Sequence, residues 1–134
     1  MLILNIINMK KEEKKLHPSE KCPIRNVLSR LGDKWSLLVL VSLDINGTTR
    51  FNEIQKSIGD ISQRMLSVTL RSLEADGLVT RKVYPEIPPR VEYSLTKSGK
   101  NLMPHLLNLV GWAKKNIHSI VAARKVLTVN YENV

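Results

Sequence analysis

The sequence predicts an α+β fold that is mostly α-helical and closes with one long helix. Apolar residues recur at helical spacing in several segments, a proline-rich turn joins two short strand-like runs, and the last helix carries an unusually wide apolar face. With 134 residues, 43% hydrophobic and 25% charged, the chain has the composition of one folded domain. Its apolar runs fall short of the roughly 18 to 20 residues that a membrane span needs, so we expect a cytoplasmic protein.

The pattern divides the chain into four segments. Residues 1–21 pass from an apolar start to a Lys- and Glu-rich run and predict an N-terminal arm, flexible or associated with a dimer. Residues 22–96 carry the periodicity of a compact domain, residues 97–123 predict the long helix, and residues 124–134 form a tail. Translation could begin at Met1 or at Met9.

Two helices open the compact domain. Pro23 suits the first helical position, because its fixed backbone angle is already helical, and Gly32 ends this segment. Asp33 is the expected N-cap of the second helix, which Asn46 and Gly47 stop. This second helix is apolar on nearly all sides, so we expect it to form the buried centre of the fold.

A short extended link over residues 48–50 leads into a short helix that ends at Gly59, and a turn then leads to a helix over residues 62–75. Strand-like runs over residues 78–83 and 91–95 follow, joined by a stiff tip with three prolines. Thr96 is the expected N-cap of the last helix, with Pro104 as a kink. This order of elements is that of a winged helix-turn-helix domain.

The helix over residues 62–75 has two distinct sides at 100° per residue. The predicted core side consists of Met65, Leu66, Thr69, Leu70 and Leu73. The opposite side carries Gln63, Arg64, Ser67, Val68 and Arg71, without an acid until Glu74. Arg can make a forked contact to guanine, Gln can pair with adenine and Val can touch a thymine methyl, so this face predicts insertion into the DNA major groove. A merely solvated helix is the alternative.

The net charge of +9, from 21 Lys and Arg against 12 Asp and Glu, favours a polyanionic partner. Candidate DNA contacts outside the face just described are Ser62 before it, Lys34, Arg50 and Asn52 at earlier helix starts, and Arg81, Lys82 and Arg90 around the hairpin tip. Lys34, Arg50 and Asn52 would position the domain on phosphates, and the hairpin would lie along the DNA backbone or in a minor groove. A hairpin that only covers the core is the alternative.

The last helix carries an apolar arc of about 220°, whereas one packing surface needs roughly 100°. Its predicted core stripe runs through Leu102, Leu106, Leu109, Ala113, Ile117 and Ile120. The candidate dimer contacts are Met103, Leu106, Leu107, Val110 and Trp112. We expect a second copy of the chain to cover the part of the apolar arc that the domain itself does not bury, because two-fold dimers are the commonest oligomers. A helix sunk deeply in its own domain is the alternative.

Several short motifs occur together and in order: Cys22-Pro23-Ile24, Leu31-Gly32-Asp33-Lys34-Trp35, Arg50-Phe51-Asn52-Glu53-Ile54, Ile61-Ser62-Gln63-Arg64-Met65-Leu66, Pro88-Pro89-Arg90-Val91-Glu92-Tyr93 and Leu95-Thr96 with Gly99. In these the chain resembles the HxlR family of bacterial winged helix regulators, related in architecture to the MarR family. The resemblance implies a homodimeric DNA-binding transcription regulator that reads DNA with the helix from Ser62. We expect a repressor at a palindromic double-stranded operator, with an effector that the sequence does not identify.

Cys22 is the single cysteine, and it precedes Pro23 at a helix start where free backbone donors favour a thiolate. The HxlR family, which the chain resembles at this position, includes redox and electrophile sensors. The resemblance therefore implies that Cys22 is a candidate redox-sensing residue. Its disulfide would have to join two protomers or capture a small thiol. A buried, small apolar role is the alternative.

Other functions receive less support from the sequence. His17, His105 and His118 form no recognised metal spacing with Cys22, and nothing indicates a catalytic group or a cofactor. Two alternatives stay open. One is a ligand-gated regulator with a small-molecule pocket at the last helix, lined by Trp35, Met103 and Trp112. The other is a winged helix that binds a protein instead of DNA.

Overall fold

The computed structural model describes residues 23–132, with side chains for residues 24–127. In chain order, the elements are α1 (Pro23–Leu31), α2 (Lys34–Asn46), β1 (Thr49–Arg50), α3 (Phe51–Ile58), α4 (Gln63–Ala75), β2 (Val79–Tyr84), β3 (Arg90–Leu95) and α5 (Lys97–Glu132). This architecture confirms the predicted winged helix-turn-helix fold. In the described part of the chain, no helix combines the length and hydropathy that a membrane span requires.

Polar side chains set the helix starts where the sequence predicts them. The side-chain oxygens of Asp33, Ser62 and Thr96 each accept a hydrogen bond from a first-turn backbone N–H of α2, α4 and α5, at 3.4, 3.1 and 3.1 Å. Such caps satisfy donors that have no partner inside the helix. Gly47 and Gly59 end α2 and α3 with φ of 70° and 96°, a region that glycine enters without steric cost.

The strands form one antiparallel sheet in the order β1-β3-β2. Thr49 in β1 pairs with Tyr93 in β3, so the short link before α3 is part of the sheet. In the hairpin, β2 and β3 pair as far as Tyr84 opposite Arg90. At the tip, each strand therefore extends one residue further than the sequence predicts, whereas β2 begins at Val79, one residue later than predicted. The tip comprises only residues 85–89.

The core lies between α2, α3, α4, the sheet and the first turns of α5. Its buried apolar members are Val39, Leu40, Leu43, Ile54, Ile61, Leu66, Leu70, Leu73, Val79, Tyr93, Met103 and Leu106. The prediction that α2 is the buried centre holds for one side of the helix. Leu38 and Ile45 lie on the other side and are exposed, Ile45 to 74%.

Two predictions about apolar faces are wrong. The sequence predicts Met65 in the core, but its side chain is exposed because it lies at the edge of the buried face of α4. On α5, the fully buried residues lie only in the first turns, where Met103 and Leu106 are 2% and 7% exposed. Leu109, Ile117 and Ile120 are exposed because α5 continues past the buried core, to Glu132 and past the end predicted near Ala123.

The start of α5 is tied to the end of α4. The hydroxyl of Thr96 donates to the Gly77 carbonyl at 2.6 Å, and its backbone N–H donates to the Leu78 carbonyl at 3.0 Å. Gly99 packs so closely against the Leu78 carbonyl oxygen that a Cβ atom would clash with it. These contacts fix α5 relative to the helix-turn-helix unit.

We expect Gly99→Ala to destabilise the protein by about 1–3 kcal/mol, because the new Cβ would force apart two backbone segments of the packed core. This cost exceeds the gain of about 1 kcal/mol that Ala normally brings to a helix. Gly111→Ala is the matched control, since a Cβ there meets no atom within 4 Å, and it should be neutral or stabilising. Urea unfolding measures both. Equal stabilities for the two variants would contradict the close contact.

Candidate nucleic-acid interface

The outward face of α4 has the composition that the sequence predicts. Gln63, Arg64, Val68 and Arg71 are exposed, and Ser67 is half-buried. The opposite side of the helix is anchored by Leu66, Leu70 and Leu73, which are fully buried. This anchoring presents the polar face to solvent on a rigid helix. Ser62 is also exposed, and it caps the helix with its hydroxyl.

Two arginines from different elements line one cleft beside this face. Arg71 of α4 and Arg81 of β2 line this cleft of about 250 Å³, together with Ser67, Leu70, Glu74 and Tyr93. Within residues 23–132, neither Arg71 nor Arg81 forms an ion pair, and neither does Arg64. Their guanidinium groups are therefore available to an anion. Glu74 is the acid of the cleft, at the C-terminal end of the face.

The turn between α3 and α4 is fixed by a contact that the sequence does not reveal. The Gln55 side-chain amide donates to the Ile61 carbonyl at 3.2 Å, across the turn. At the start of α3, the Arg50 backbone N–H donates to the Glu53 carboxylate at 3.3 Å. The side chains of Arg50 and Asn52 stay exposed there, a placement that suits phosphate contacts.

Lys34 at the start of α2 is exposed as well, and its ammonium lies 4.2 Å from the centre of the Trp35 ring. A cation held over an aromatic face in this way loses some side-chain freedom but keeps its charge. Lys34 therefore remains able to meet a phosphate.

The hairpin orders its basic residues around one aromatic ring. Arg90 Cζ lies 4.1 Å and Lys82 Nζ 5.0 Å from the centre of the Tyr84 ring. Arg90 also forms ion pairs of 3.4 Å with Glu86 and with Glu92, and its side chain is only 29% exposed. The three basic residues predicted around the tip therefore differ: Arg81 and Lys82 are exposed, whereas Arg90 is engaged within the hairpin.

The predicted dimer contacts also separate into two groups. Met103 and Leu106 belong to the core of the protomer and offer no surface to a partner. Leu107 and Trp112 are exposed, Trp112 to 57%, and Val110 is half-buried. Further exposed apolar side chains lie on α1 and α5, namely Ile24, Val27, Leu28, Leu109, Ile117, Ile120 and Val121. So large an exposed apolar surface is typical of an interaction site.

The sequence places a candidate small-molecule pocket at the last helix, lined by Trp35, Met103 and Trp112. An apolar cleft of about 330 Å³ does lie between α2 and α5, but it is lined by Leu37, Leu109, Val110, Ala113, Lys114 and Ile117. Met103 is buried in the core instead, and neither Trp35 nor Trp112 lines the cleft.

Cys22 lies outside the described residues, as does the arm over residues 1–21. Between residues 23 and 132, no group of three acids, His or Cys could hold a metal ion.

Comparisons with known proteins agree with this architecture. A family model described as HxlR-like helix-turn-helix matches residues 30–121. The HTH-type transcriptional regulator YdeP of Bacillus subtilis (strain 168) is 45% identical over 109 residues, which cover 79% of this chain and 84% of YdeP. The regulator ytfH from Salmonella typhimurium has a solved structure that is 38% identical, with a TM-score of 0.71 over 78% of this chain and 93% of that chain.

A redox regulator is also among the similar solved structures. HypR in its reduced form is 41% identical, with a TM-score of 0.68 over 75% of this chain and 98% of that chain. HypR has been solved in its oxidized form too.

Proposed function

This chain belongs to the HxlR-like helix-turn-helix family and is a transcriptional regulator, and from that premise we propose how it acts. It is a homodimer that binds a palindromic double-stranded DNA operator and represses transcription. Each protomer inserts α4 into the major groove of one half-site. The hairpin of β2 and β3, the wing, lies on the adjacent backbone or minor groove.

The observation that carries this proposal is the exposed face of α4. Gln63, Arg64 and Arg71 project from a helix whose other side is buried, and within the described residues the two arginines have no ion-pair partner. An unpaired guanidinium can contact guanine O6 and N7 together, and this is the commonest specific contact in the major groove. Ser67 and Val68 would complete the contact with the base edges.

The remaining exposed polar and basic residues predicted to contact DNA suit the phosphate backbone. Lys34, Arg50 and Asn52 lie at the starts of α2 and α3, while Arg81 and Lys82 lie on β2. Contacts of this kind position a domain without reading sequence, and they make binding salt-dependent because each neutralised phosphate releases counterions.

The apolar surface of α1 and α5 supports dimerisation. Leu109 and Trp112 are more than half exposed in one protomer, and α5 continues past the buried core to Glu132. Burying these side chains against a second copy would remove apolar area from water at about 25 cal/mol per Å². A two-fold dimer would also present two copies of α4 to the two halves of a palindrome.

The proposal is tested by fluorescence anisotropy of the reduced protein with the duplex upstream of its own gene and with a scrambled copy, across a salt series. Preferential binding to the upstream duplex at near-physiological salt is expected from a sequence-reading regulator. Equal and steeply salt-dependent binding to both duplexes would contradict the proposal if duplexes selected from a random pool gave the same result. The protein would then bind DNA through charge alone.

We further propose that the thiol of Cys22 gates DNA binding. The similarity to HypR, described as a redox regulator, supports this proposal. Diamide removes two electrons from two thiols, so with one cysteine per chain the disulfide joins two protomers or one protomer and a small thiol.

Diamide should therefore lower or raise the operator affinity of the unmodified protein, whereas Cys22→Ser should keep the same affinity with and without diamide. Anisotropy measures the affinity, and mass spectrometry identifies the disulfide. A Cys22→Ser protein that responds to diamide as the unmodified protein does would rule out gating by this thiol.

A further inference from the structure

We infer that Arg90 is a positioning residue of the wing, which holds the tip on the hairpin stem and does not contact DNA. The role rests on the proposed function, because the orientation of the wing matters only to a protein that binds DNA. The sequence alone places Arg90 among the DNA contacts, and the surroundings of its side chain indicate the different role.

Arg90 connects three parts of the wing. It begins β3 directly opposite Tyr84, the last residue of β2, and its guanidinium stacks 4.1 Å from the centre of that ring. It pairs with Glu86 in the tip and with Glu92 further along β3, each at 3.4 Å. A single planar cation thus joins the tip, the end of β2 and the stem.

The edge of the guanidinium formed by Nε and Nη2 is also poorly placed to bind a phosphate. Its Nε is shielded from solvent and makes no hydrogen bond among the described residues, although it lies 3.4 Å from the Glu92 carboxylate. A forked contact to phosphate uses two N–H groups on one edge of the guanidinium. Turning the edge formed by Nε and Nη2 towards DNA would break the ion pairs with Glu86 and Glu92 and leave both carboxylates near the phosphates without their cation.

Charge does not explain why this cluster lies on the wing. Lys82 is opposite Glu92 in the hairpin register, as Tyr84 is opposite Arg90, so all four side chains share one face of the hairpin. With Glu86 included, this face carries two cations and two anions and has no net charge. We therefore assign this cluster a role in fixing the shape of the wing. Because Arg90 is held by the two acids, the exposed Lys82 ammonium is the group on this face that can contact DNA.

The two roles of Arg90 predict opposite signs for Glu92→Gln. If Arg90 were a DNA contact, removing a nearby carboxylate would free it and reduce repulsion, and DNA binding would tighten. If Arg90 positions the wing, the variant loosens it and DNA binding weakens. We expect an affinity about twofold to fivefold weaker, the range of a partly exposed ion pair. The matched control is Asp60→Asn, an exposed acid in the helix-turn-helix turn, which should bind equally or more tightly.

Two further variants separate positioning from simple charge. Arg90→Lys keeps the charge but loses the planar fork, so it should weaken binding as much as Arg90→Gln does. The double variant Arg90→Gln with Glu92→Gln should bind DNA no more weakly than the weaker-binding of the two single variants, because both changes remove the same Arg90–Glu92 interaction.

The free energy of unfolding of these variants should stay unchanged. Hydrogen exchange at the Glu86 amide, which donates to the Tyr84 carbonyl at 2.8 Å, should accelerate without DNA.

The measurements are anisotropy on the operator duplex, urea unfolding and hydrogen exchange, all on the full chain. Unchanged or tighter binding by Glu92→Gln would overturn the positioning role, as would full activity of Arg90→Lys. Failure of the unmodified protein to prefer any duplex would instead overturn the proposed function, and the role of Arg90 in DNA binding with it.

Discussion

Arg71→Ala is expected to weaken binding to the operator by about 1–3 kcal/mol and to relax the sequence preference, and Arg64→Ala should do the same. Both side chains are exposed on α4, and within residues 23–132 neither is held by an acid. Truncation therefore removes a contact to a base without releasing a buried charge elsewhere. Since the buried side of α4 is untouched, the free energy of unfolding should change by less than about 0.5 kcal/mol.

Lys82→Ala is the matched comparison for these arginines. Lys82 lies on the wing and should contact phosphate, so its truncation should weaken binding to every duplex by a similar factor. It should also lower the slope of log K against log salt by about 0.9 for each phosphate that the side chain neutralises. Anisotropy on the operator and on single-base variants of it measures both effects. An equal reduction on all sequences for Arg64, Arg71 and Lys82 would mean that α4 does not read bases.

Leu109→Asp should convert the proposed dimer into monomers and thereby abolish tight operator binding. Leu109 is 55% exposed in the protomer, so the fold tolerates the change, but a carboxylate there would be buried without a partner in a dimer formed by α5. We expect dimerisation to weaken by at least about 2 kcal/mol, the threshold for a residue that dominates an interface. A monomer then contacts one half-site instead of two.

The control for this change is Ile45→Asp, which places the same charge on α2 at a residue that is 74% exposed. It should leave both the dimer and the DNA affinity intact. Sedimentation over a concentration range measures the assembly, and anisotropy measures binding. A Leu109→Asp protein that remains dimeric would show that the exposed face of α5 does not form the interface.

Local chemistry explains why most of the fold is predictable from the sequence. The caps at Asp33 and Thr96 and the stops at Gly47 and Gly59 involve residues close together in the chain, and their spacing is sufficient to predict them. The face of α4 is likewise fixed by periodicity, because Leu66, Leu70 and Leu73 determine which side is buried.

The errors arise where the outcome depends on distant residues. A helical wheel shows that α5 is apolar, but not where the helix leaves its domain, so it places Leu109, Ile117 and Ile120 in a core that ends near Leu106. The proposed positioning role of Arg90, which differs from the DNA contact that the sequence predicts, likewise depends on strand register, because the pairing of Tyr84 with Arg90 creates the stacked ion cluster. Without that register, Arg90 and Lys82 are two equivalent cations near the hairpin tip.

The most direct test of base reading by α4 is methylation interference on the operator duplex. Methylation of guanine N7 blocks the major-groove edge that an arginine contacts while leaving the phosphates unchanged. Interference is expected at guanines in two half-sites about 34–36 Å apart, one helical turn, and it should fade at the guanine that faces Arg71 when Arg71→Ala is used. Binding that is indifferent to guanine methylation throughout an operator containing guanine in both half-sites would contradict sequence reading by this helix.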